Sequence, residues 1–150
     1  MHEIIQRFAQ CRLLVVGDLM IDEYVWGAVD RISPEAPVQV VSVLREDLTL
    51  GGAGNVVNNL RALGGRVAVA GVVGTAADGN RMIELFERLA VDCRGVVQEA
   101  ERPTTRKTRI IASSQHVLRV DRETKRDSSP AAFERLIGGV EAMMPDIGVV

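Results

Sequence analysis

The sequence has 150 residues, of which 47% are hydrophobic and 25% charged, and its formal net charge is -2 at pH 7. A chain of this length and apolar content can bury a hydrophobic core of its own, which excludes a disordered chain. Balanced charge and an aromatic content of 3% argue against nucleic-acid binding, whether through a basic surface or through stacked bases.

The cysteines and histidines predict neither a disulfide nor a structural metal. Cys11 and Cys93 lie far apart without CxxC spacing, and His2 and His116 have no partner at metal-ligand spacing.

Glu3 interrupts the apolar residues near the N-terminus, and no run approaches the ~20 apolar residues of a membrane span. We therefore expect a cytoplasmic protein that does not bind a membrane.

The first predicted element is a buried strand over residues 12–18, with the sequence RLLVVGD. A short apolar run that ends in Gly-Asp is typical of a parallel strand that closes on a loop. Ligands of parallel sheets bind outside the carboxyl ends of the strands. Asp18 and Asp22 are therefore expected at a ligand-binding end of the sheet.

The stretch LGGAGNVVNNLRALGG at residues 50–65 predicts a helix entered through a tight glycine loop. It has no lysine at the Walker A position, and it is not a GxGxxG directly after the first strand. A helix N-terminus favours electron-rich ligand atoms, and Asn55 in the first turn can both donate and accept hydrogen bonds. A binding site for hydroxyl groups and an ordinary packing loop both fit this stretch.

A strand at residues 66–74 and a helix at 78–91 follow, with Asp78 or Asn80 as the expected helix N-cap. The order of strand, helix, strand and helix predicts a parallel sheet with helices packed on it. At the end of the chain, Pro145 is expected to end a helix, and residues 147–150 predict the start of a buried strand.

Residues 38–50 and 105–123 interleave polar and apolar side chains and predict strands outside the buried sheet. The second segment predicts a hairpin that turns at Ser113 and Ser114. Together they predict a small sheet that covers a site as a lid. Residues 101–126 contain eight basic and three acidic side chains, and strand alternation places Lys107 and Arg109 on one face. A solvated face and a phosphate-binding face are both compatible with this pattern.

Two polar residues in these segments receive no catalytic role. His116 has no carboxylate neighbour in the sequence, and such a histidine is more often a packing or surface residue. Glu35 lies between Pro34 and Pro37, which fix a turn, so its carboxylate is expected only to support that turn.

The spacing of Gly51, Gly52 and Asn55, followed by Gly64 and Gly74, resembles the N-terminal signature of the ribokinase-like sugar kinases. In that family the GG-x-x-N segment opens onto the sugar. Val57 departs from the family pattern of Ala, Ser or Thr, with an expected effect on helix packing. The resemblance implies an α/β fold, a ribokinase-like Rossmann-type parallel sheet flanked by helices. It also implies a small β-sheet lid, with residues 1–150 as the N-terminal part of a kinase domain and lid strands near 24–27, 38–50 and 105–121.

Residues 15–27, 31–41 and 102–123 are similar to the heptose 7-phosphate kinases of lipopolysaccharide core assembly. These kinases transfer the γ-phosphoryl group of ATP, with Mg²⁺, to the anomeric hydroxyl of D-glycero-D-manno-heptose 7-phosphate. The product is the 1,7-bisphosphate on the route to an ADP-heptose. By position the resemblance implies six substrate-binding residues, of which the first accepts sugar hydroxyls and the last is the weakest candidate: Asp22, Gly52, Asn55, Lys107, Arg109 and Arg119.

The family's glycine-rich anion hole, catalytic aspartate and adenine pocket have no counterpart in this sequence. We therefore assign no catalytic, nucleotide-binding or metal-binding residue, and we expect ATP and Mg²⁺ to be bound mainly by a missing C-terminal half. The segment alone is expected to be inactive.

The partners implied are a small-molecule sugar phosphate and a second copy of the chain, paired through the lid at residues 38–43. Three alternatives stay open. They are another ribokinase-like sugar kinase, a stand-alone sugar-phosphate binding module, and a dimerisation module without catalysis.

Overall fold

The computed structural model describes residues 7–150, so His2 and Glu3 lie outside the described residues. Within residues 7–150, seven strands and three α-helices follow one another, with 3₁₀ helices at Arg7–Gln10 and Met144–Asp146. In chain order they are β1 (Arg12–Val16), β2 (Leu19–Ile32), β3 (Gln39–Gly52), α1 (Ala53–Ala62), β4 (Arg66–Gly74), α2 (Ala77–Arg88), β5 (Asp92–Glu99), β6 (Thr105–Ala112), β7 (Gln115–Arg122) and α3 (Pro130–Met143).

The main layer is a parallel sheet in the order β1-β4-β5. The central strand β4 is apolar on both faces because helices cover both. Val67, Val69 and Val73 pack with α1 and α2, whereas Ala68 and Ala70 pack with α3. This arrangement confirms the predicted parallel sheet flanked by helices.

The other four strands form a separate sheet, the lid, in the order β3-β2-β6-β7. Strand β2 runs antiparallel to β3 and parallel to β6, and β6 runs antiparallel to β7. The β6-β7 turn confirms the predicted hairpin, with positive φ at Ser113 and Ser114. The interleaved pattern therefore marks strands that lie outside the main sheet.

The two faces of the lid have different surroundings. Along β2, Ile21, Glu23 and Val25 are buried against the main layer, and we call their side the packed face. Asp22 and Tyr24 alternate with them on the opposite side, which we call the open face, and are only half-buried. One strand thus supplies both core residues and candidate site residues.

The glycine stretch is the junction between the lid and the main layer. Strand β3 ends at Gly52, and α1 begins at Ala53, whose N–H donates to the Asp18 carbonyl at 3.0 Å. Gly52 has φ +55° and ψ -131°, a conformation that is open essentially to glycine alone. Gly64, with φ +88°, follows the end of α1 as the predicted glycine stop.

Two local predictions are wrong. Neither Asp78 nor Asn80 caps α2, because Ala76 is the N-cap and makes no side-chain hydrogen bond there. Asp78 instead accepts a hydrogen bond from Arg106 of β6, and Asn80 accepts one from Gln98 of β5. Both side chains are therefore bonded to strands and not to the helix end. The expected strand at 147–150 makes a single bridge, from Val149 to Leu13, and Val149 is 54% exposed rather than buried.

Pro145 does follow the end of α3 and lies in the second 3₁₀ helix, Met144–Asp146. In residues 7–150 no helix has both the length and the apolarity that crossing a membrane requires.

Candidate functional site

The candidate site lies where the lid meets the carboxyl end of the main sheet. A polar cavity of about 220 Å³ opens there, lined among others by Asp18, Met20, Lys107 and Glu123. Asp18 follows β1, and Lys107 belongs to the lid strand β6. This is the edge at which open parallel sheets bind their ligands, and Lys107 lines the cavity there.

Asp22 lies inside strand β2, which corrects its expected position at the end of the first strand. The reason is that β1 stops at Val16 and the chain re-enters a strand at Leu19, so Asp22 belongs to the lid. Its nearest cross-strand neighbours are Thr49 and Lys107. Asp22 therefore presents its carboxylate on the open face, beside the lysine that lines the cavity.

The last two residues of β3, Gly51 and Gly52, leave room for this carboxylate. A Cβ on Gly51 would lie 2.7 Å from Asp22 Oδ2, and one on Gly52 would lie 2.6 Å from the Asp18 carbonyl oxygen. Both contacts are too short for a side chain. Glycine is required at Gly52, where the contact is with backbone and φ is +55°, whereas at Gly51 the short contacts are with the side chains of Asp22 and Met20. Asn55, the third residue of α1, is exposed.

Arg109 contacts Asp22 directly. Its Nη1 donates to Asp22 Oδ1 at 2.5 Å, and the side chains are 23% and 17% exposed. This hydrogen bond is the main reason that the pKa of Arg109 is raised. Arg119 lies opposite Arg109 on β7, but its ion-pair partner is Asp121, at 3.0 Å. The structure thus brings Arg109 to Asp22, and it pairs Arg119 with a different carboxylate.

A stack of aromatic and guanidinium groups adjoins this pair at Arg109, and sequence reasoning missed the stack. The rings of Tyr24 and Trp26 are stacked, with centroids 6.3 Å apart and planes at 19°. The Arg109 guanidinium lies 5.3 Å from the Tyr24 ring centre, and that of Arg45 lies 5.1 Å from the Trp26 ring centre. Trp26 Nε1 donates to Asp47 at 2.9 Å. The alternation of Tyr24 and Trp26 in β2 was the available signal.

A second ionic cluster lies on the packed face and was also missed. Arg106 donates to both carboxylate oxygens of Glu23, and Thr108 Oγ1 donates to the same carboxylate at 2.5 Å. Arg106 Nη1 also donates to Asp78 at 2.9 Å, which ties the lid to α2. The hydrogen bond from Arg106 outweighs burial and lowers the pKa of Glu23, while the pKa of Arg106 is raised. Only the adjacent carboxylates of β2 hinted at this cluster.

The remaining polar candidates lie elsewhere. His116 is exposed on β7, and exposed Glu35 donates its backbone N–H to Ser33 Oγ at 3.2 Å. Within residues 7–150 no three His, Cys, Asp or Glu side chains are grouped so that they could hold a metal ion. Neither cysteine of this part of the chain forms a disulfide bond. Burial raises the pKa of the Cys93 thiol to about 11.

Solved structures with the same architecture are ribokinase-like. A putative ribokinase from Agrobacterium tumefaciens has a TM-score of 0.59 at 21% identity, covering 83% of this chain and 42% of that one. Ribokinase from Cryptococcus neoformans, solved with ADP, has a TM-score of 0.54 at 19% identity, covering 93% of this chain and 48% of that one. These similarities assign the fold: a ribokinase-like parallel sheet with a β-sheet lid.

Residues 11–142 match the model of the pfkB family of carbohydrate kinases. The chain belongs to this family. It is 50% identical over 149 residues to the bifunctional protein HldE of Trichlorobacter lovleyi, which covers 99% of this chain and 30% of that protein. The chain therefore spans about a third of the length of such relatives.

Proposed function

We propose that this chain carries the sugar-binding part of a kinase that phosphorylates the anomeric hydroxyl of D-glycero-D-manno-heptose 7-phosphate. The donor is ATP, and the 1,7-bisphosphate product serves ADP-heptose and lipopolysaccharide core synthesis. The main support is the juxtaposition of Asp22, Lys107 and Arg109 on the open face, beside the cavity at the carboxyl end of the main sheet. The match of residues 11–142 to the pfkB carbohydrate kinases supports a sugar as the acceptor.

In this proposal different protein groups bind the hydroxyls and the phosphate of the sugar. Ionised Asp22 accepts hydrogen bonds from two adjacent sugar hydroxyls, and charge-assisted bonds of this kind fix the stereochemistry of the sugar. Gly52 and Asn55 contact the sugar from the glycine junction. Lys107 and Arg109 bind the 7-phosphate, since an ammonium group and a planar guanidinium both suit phosphate oxygens. Arg119, on the neighbouring strand, is a weaker third cation.

ATP and Mg²⁺ are not assigned to residues of this chain. Residues 7–150 contain no cluster of carboxylates or imidazoles that fits a metal ion, so no step is derived through Mg²⁺. The HldE protein extends well beyond the matched region, and we propose that nucleotide and metal are held mainly there. Phosphoryl transfer depends on charge stabilisation around the γ-phosphate, so the 150 residues alone are expected to bind sugar without turnover.

We also propose that two copies pair through the lid, in the cytoplasm. Apolar side chains remain exposed on β3 and just before it: Val38 is 56% exposed, Val43 55% and Leu44 75%. An edge strand with apolar side chains is a common surface for self-association. Sedimentation of the Leu44→Lys variant tests this: a shift from dimer to monomer is expected, and a monomeric parent chain contradicts the proposal.

Isothermal titration tests the sugar site directly. The full chain is titrated with D-glycero-D-manno-heptose 7-phosphate, with the unphosphorylated heptose and with ATP. We expect the sugar phosphate to bind, Asp22→Ala to abolish binding, and Lys107→Ala to weaken it about tenfold, the size of one lost charge-assisted hydrogen bond.

Arg94→Gln is the matched control for this titration, because Arg94 pairs with Asp92 on β5, away from the site, and is 68% exposed. Its affinity for the sugar phosphate is expected to equal that of the parent chain. A folded chain that binds no sugar phosphate, or an Asp22→Ala variant that binds it normally, contradicts the proposed function.

A further inference from the structure

Two side chains that are proposed to hold the sugar bind each other in this structure. Arg109 Nη1 donates to Asp22 Oδ1 at 2.5 Å, across strands β6 and β2. Both side chains are largely shielded from water, which strengthens an ion pair relative to one at the surface. The carboxylate expected to accept sugar hydroxyls thus already has a charged donor.

The surroundings of Arg109 favour this position. Its guanidinium lies over Tyr24, whose ring is stacked on Trp26, and the Trp26 indole is itself held by its hydrogen bond to Asp47. A guanidinium over an aromatic ring gains cation–π attraction and loses little freedom of rotation. The stack therefore supports Arg109 at the distance from which it reaches Asp22.

Lys107 provides the contrast within the same strand. It is the cross-strand neighbour of Asp22 in β6, and its side chain lines the polar cavity. In the described residues Arg109, and not Lys107, forms an ion pair with Asp22. Of the two cations, Lys107 lines the cavity, and Arg109 forms the ion pair with the Asp22 carboxylate.

We propose that Arg109 is an internal competitor that closes the sugar site against unphosphorylated sugars. This inference rests on the proposed function. A neutral hydroxyl competes poorly with a guanidinium for a carboxylate, because the charge-assisted bond is the stronger one. A phosphate carries more charge than a carboxylate and accepts two parallel bonds from a guanidinium. A phosphorylated sugar therefore draws Arg109 away and frees Asp22 for its hydroxyls.

The consequence is that the phosphate contributes twice to selectivity. It binds the cations directly, and it removes the competitor from Asp22. An ordinary phosphate clamp lacks the second effect, so loss of the clamp leaves the affinity for unphosphorylated sugar unchanged. Loss of a competitor raises that affinity.

The test is titration of the full chain and two variants, Arg109→Gln and Lys107→Gln, with the heptose 7-phosphate and the unphosphorylated heptose. For Arg109→Gln we expect weaker binding of the phosphorylated sugar and about tenfold tighter binding of the unphosphorylated one. For Lys107→Gln, the matched control, we expect weaker binding of the phosphorylated sugar and no gain for the other. Unchanged or weaker binding of the unphosphorylated heptose to Arg109→Gln overturns the proposal.

A measurement without ligand distinguishes failure of the competitor proposal from failure of the proposed function. Urea unfolding of Asp22→Asn, Arg109→Gln and the double variant forms a double-mutant cycle, in which non-additive stabilities are expected because the residues are in contact. If the stability losses of the two single variants add up to that of the double variant, Arg109 is not a competitor for Asp22, even where the sugar phosphate binds. If the cycle shows coupling but neither sugar binds any variant, the proposed function fails, and the competitor fails with it.

Discussion

Asp22 and Glu23 are consecutive carboxylates on one strand, and each pairs with an arginine of β6, yet they lie in different environments. Glu23 is 6% exposed, and both its oxygens are satisfied by Arg106 and Thr108. Asp22 lies on the open face, and a Cβ on Gly51 would come within 2.7 Å of its other oxygen. Burial with complete hydrogen bonding gives a structural pair, whereas partial exposure leaves a pair that a ligand can replace.

Strand β2 therefore carries an anchoring carboxylate on one face and the carboxylate proposed to bind sugar on the other. Alternation sends Glu23 to the packed face, where its cluster joins β2, β6 and α2 through Asp78. The same alternation sends Asp22 to the open face. An anchored packed face fixes the register of β2 on β6, and this register holds Asp22 beside Lys107 and within reach of Arg109.

The two carboxylates are expected to differ most in what they contribute to stability. Glu23→Ala leaves Arg106 without its main partner in a largely buried place, and a cost of about 3 kcal/mol is expected. Asp22→Ala removes one hydrogen bond from a carboxylate that is more exposed than Glu23, and Arg109 keeps its place over Tyr24, so a cost of about 1 kcal/mol is expected. Urea unfolding monitored by circular dichroism measures both. Equal losses for the two variants break the distinction between the faces.

A change at Gly51 sharpens the comparison from the binding side. Gly51→Ala places a Cβ 2.7 Å from Asp22 Oδ2 and displaces the carboxylate, so about tenfold weaker binding of heptose 7-phosphate is expected. Gly64→Ala is the matched control, because its added Cβ meets no atom within 4 Å although φ is +88°. It is expected to cost about 1 kcal/mol of stability and to leave affinity unchanged. Titration shows whether both glycine variants weaken binding alike, a result that points to a general loss of structure.

The smallest expected effect is on the pH dependence of stability. The pKa of Glu23 is lowered from its ordinary 4.5, mainly by the hydrogen bond from Arg106. A lowered pKa means that the stabilisation is complete above the ordinary value and is lost as pH falls through the folded-state value. Glu23→Gln is therefore less stable than the parent chain at neutral pH but loses less stability below about pH 4.5. Urea unfolding at several pH values measures this. If the free energies of unfolding of Glu23→Gln and of the parent chain fall in parallel at acid pH, this assignment is contradicted.

Much of the fold follows from local patterns. Apolar runs such as that of β4 indicate buried parallel strands, and the interleaved pattern at 105–123 indicates a half-exposed hairpin. Positions along β2 alternate between faces, so the side of Asp22 follows once the strand is known. The capping of α2 could not be predicted, because Arg106 and Gln98 are more distant in sequence and take Asp78 and Asn80.

The candidate site was predictable as a set of residues but not as a set of contacts. Asp22, Lys107 and Arg109 stand out through residue type, spacing and resemblance to the sugar kinases. Their pairing depends on parallel β2 and β6, which are separated by β3, α1, β4, α2 and β5. No local pattern encodes which of two neighbouring cations will reach a given carboxylate.

Periodicity and residue type act within a few residues, so they were enough to predict the class of fold, the amphipathic lid strands and the candidate chemistry. The tertiary structure decided that Glu23 is an anchor, that Asp22 is held by Arg109 over Tyr24, and that Lys107 faces the cavity. The physical reason is that burial and ion pairing are set by distant segments brought together in the fold, since a charge takes its role from its surroundings.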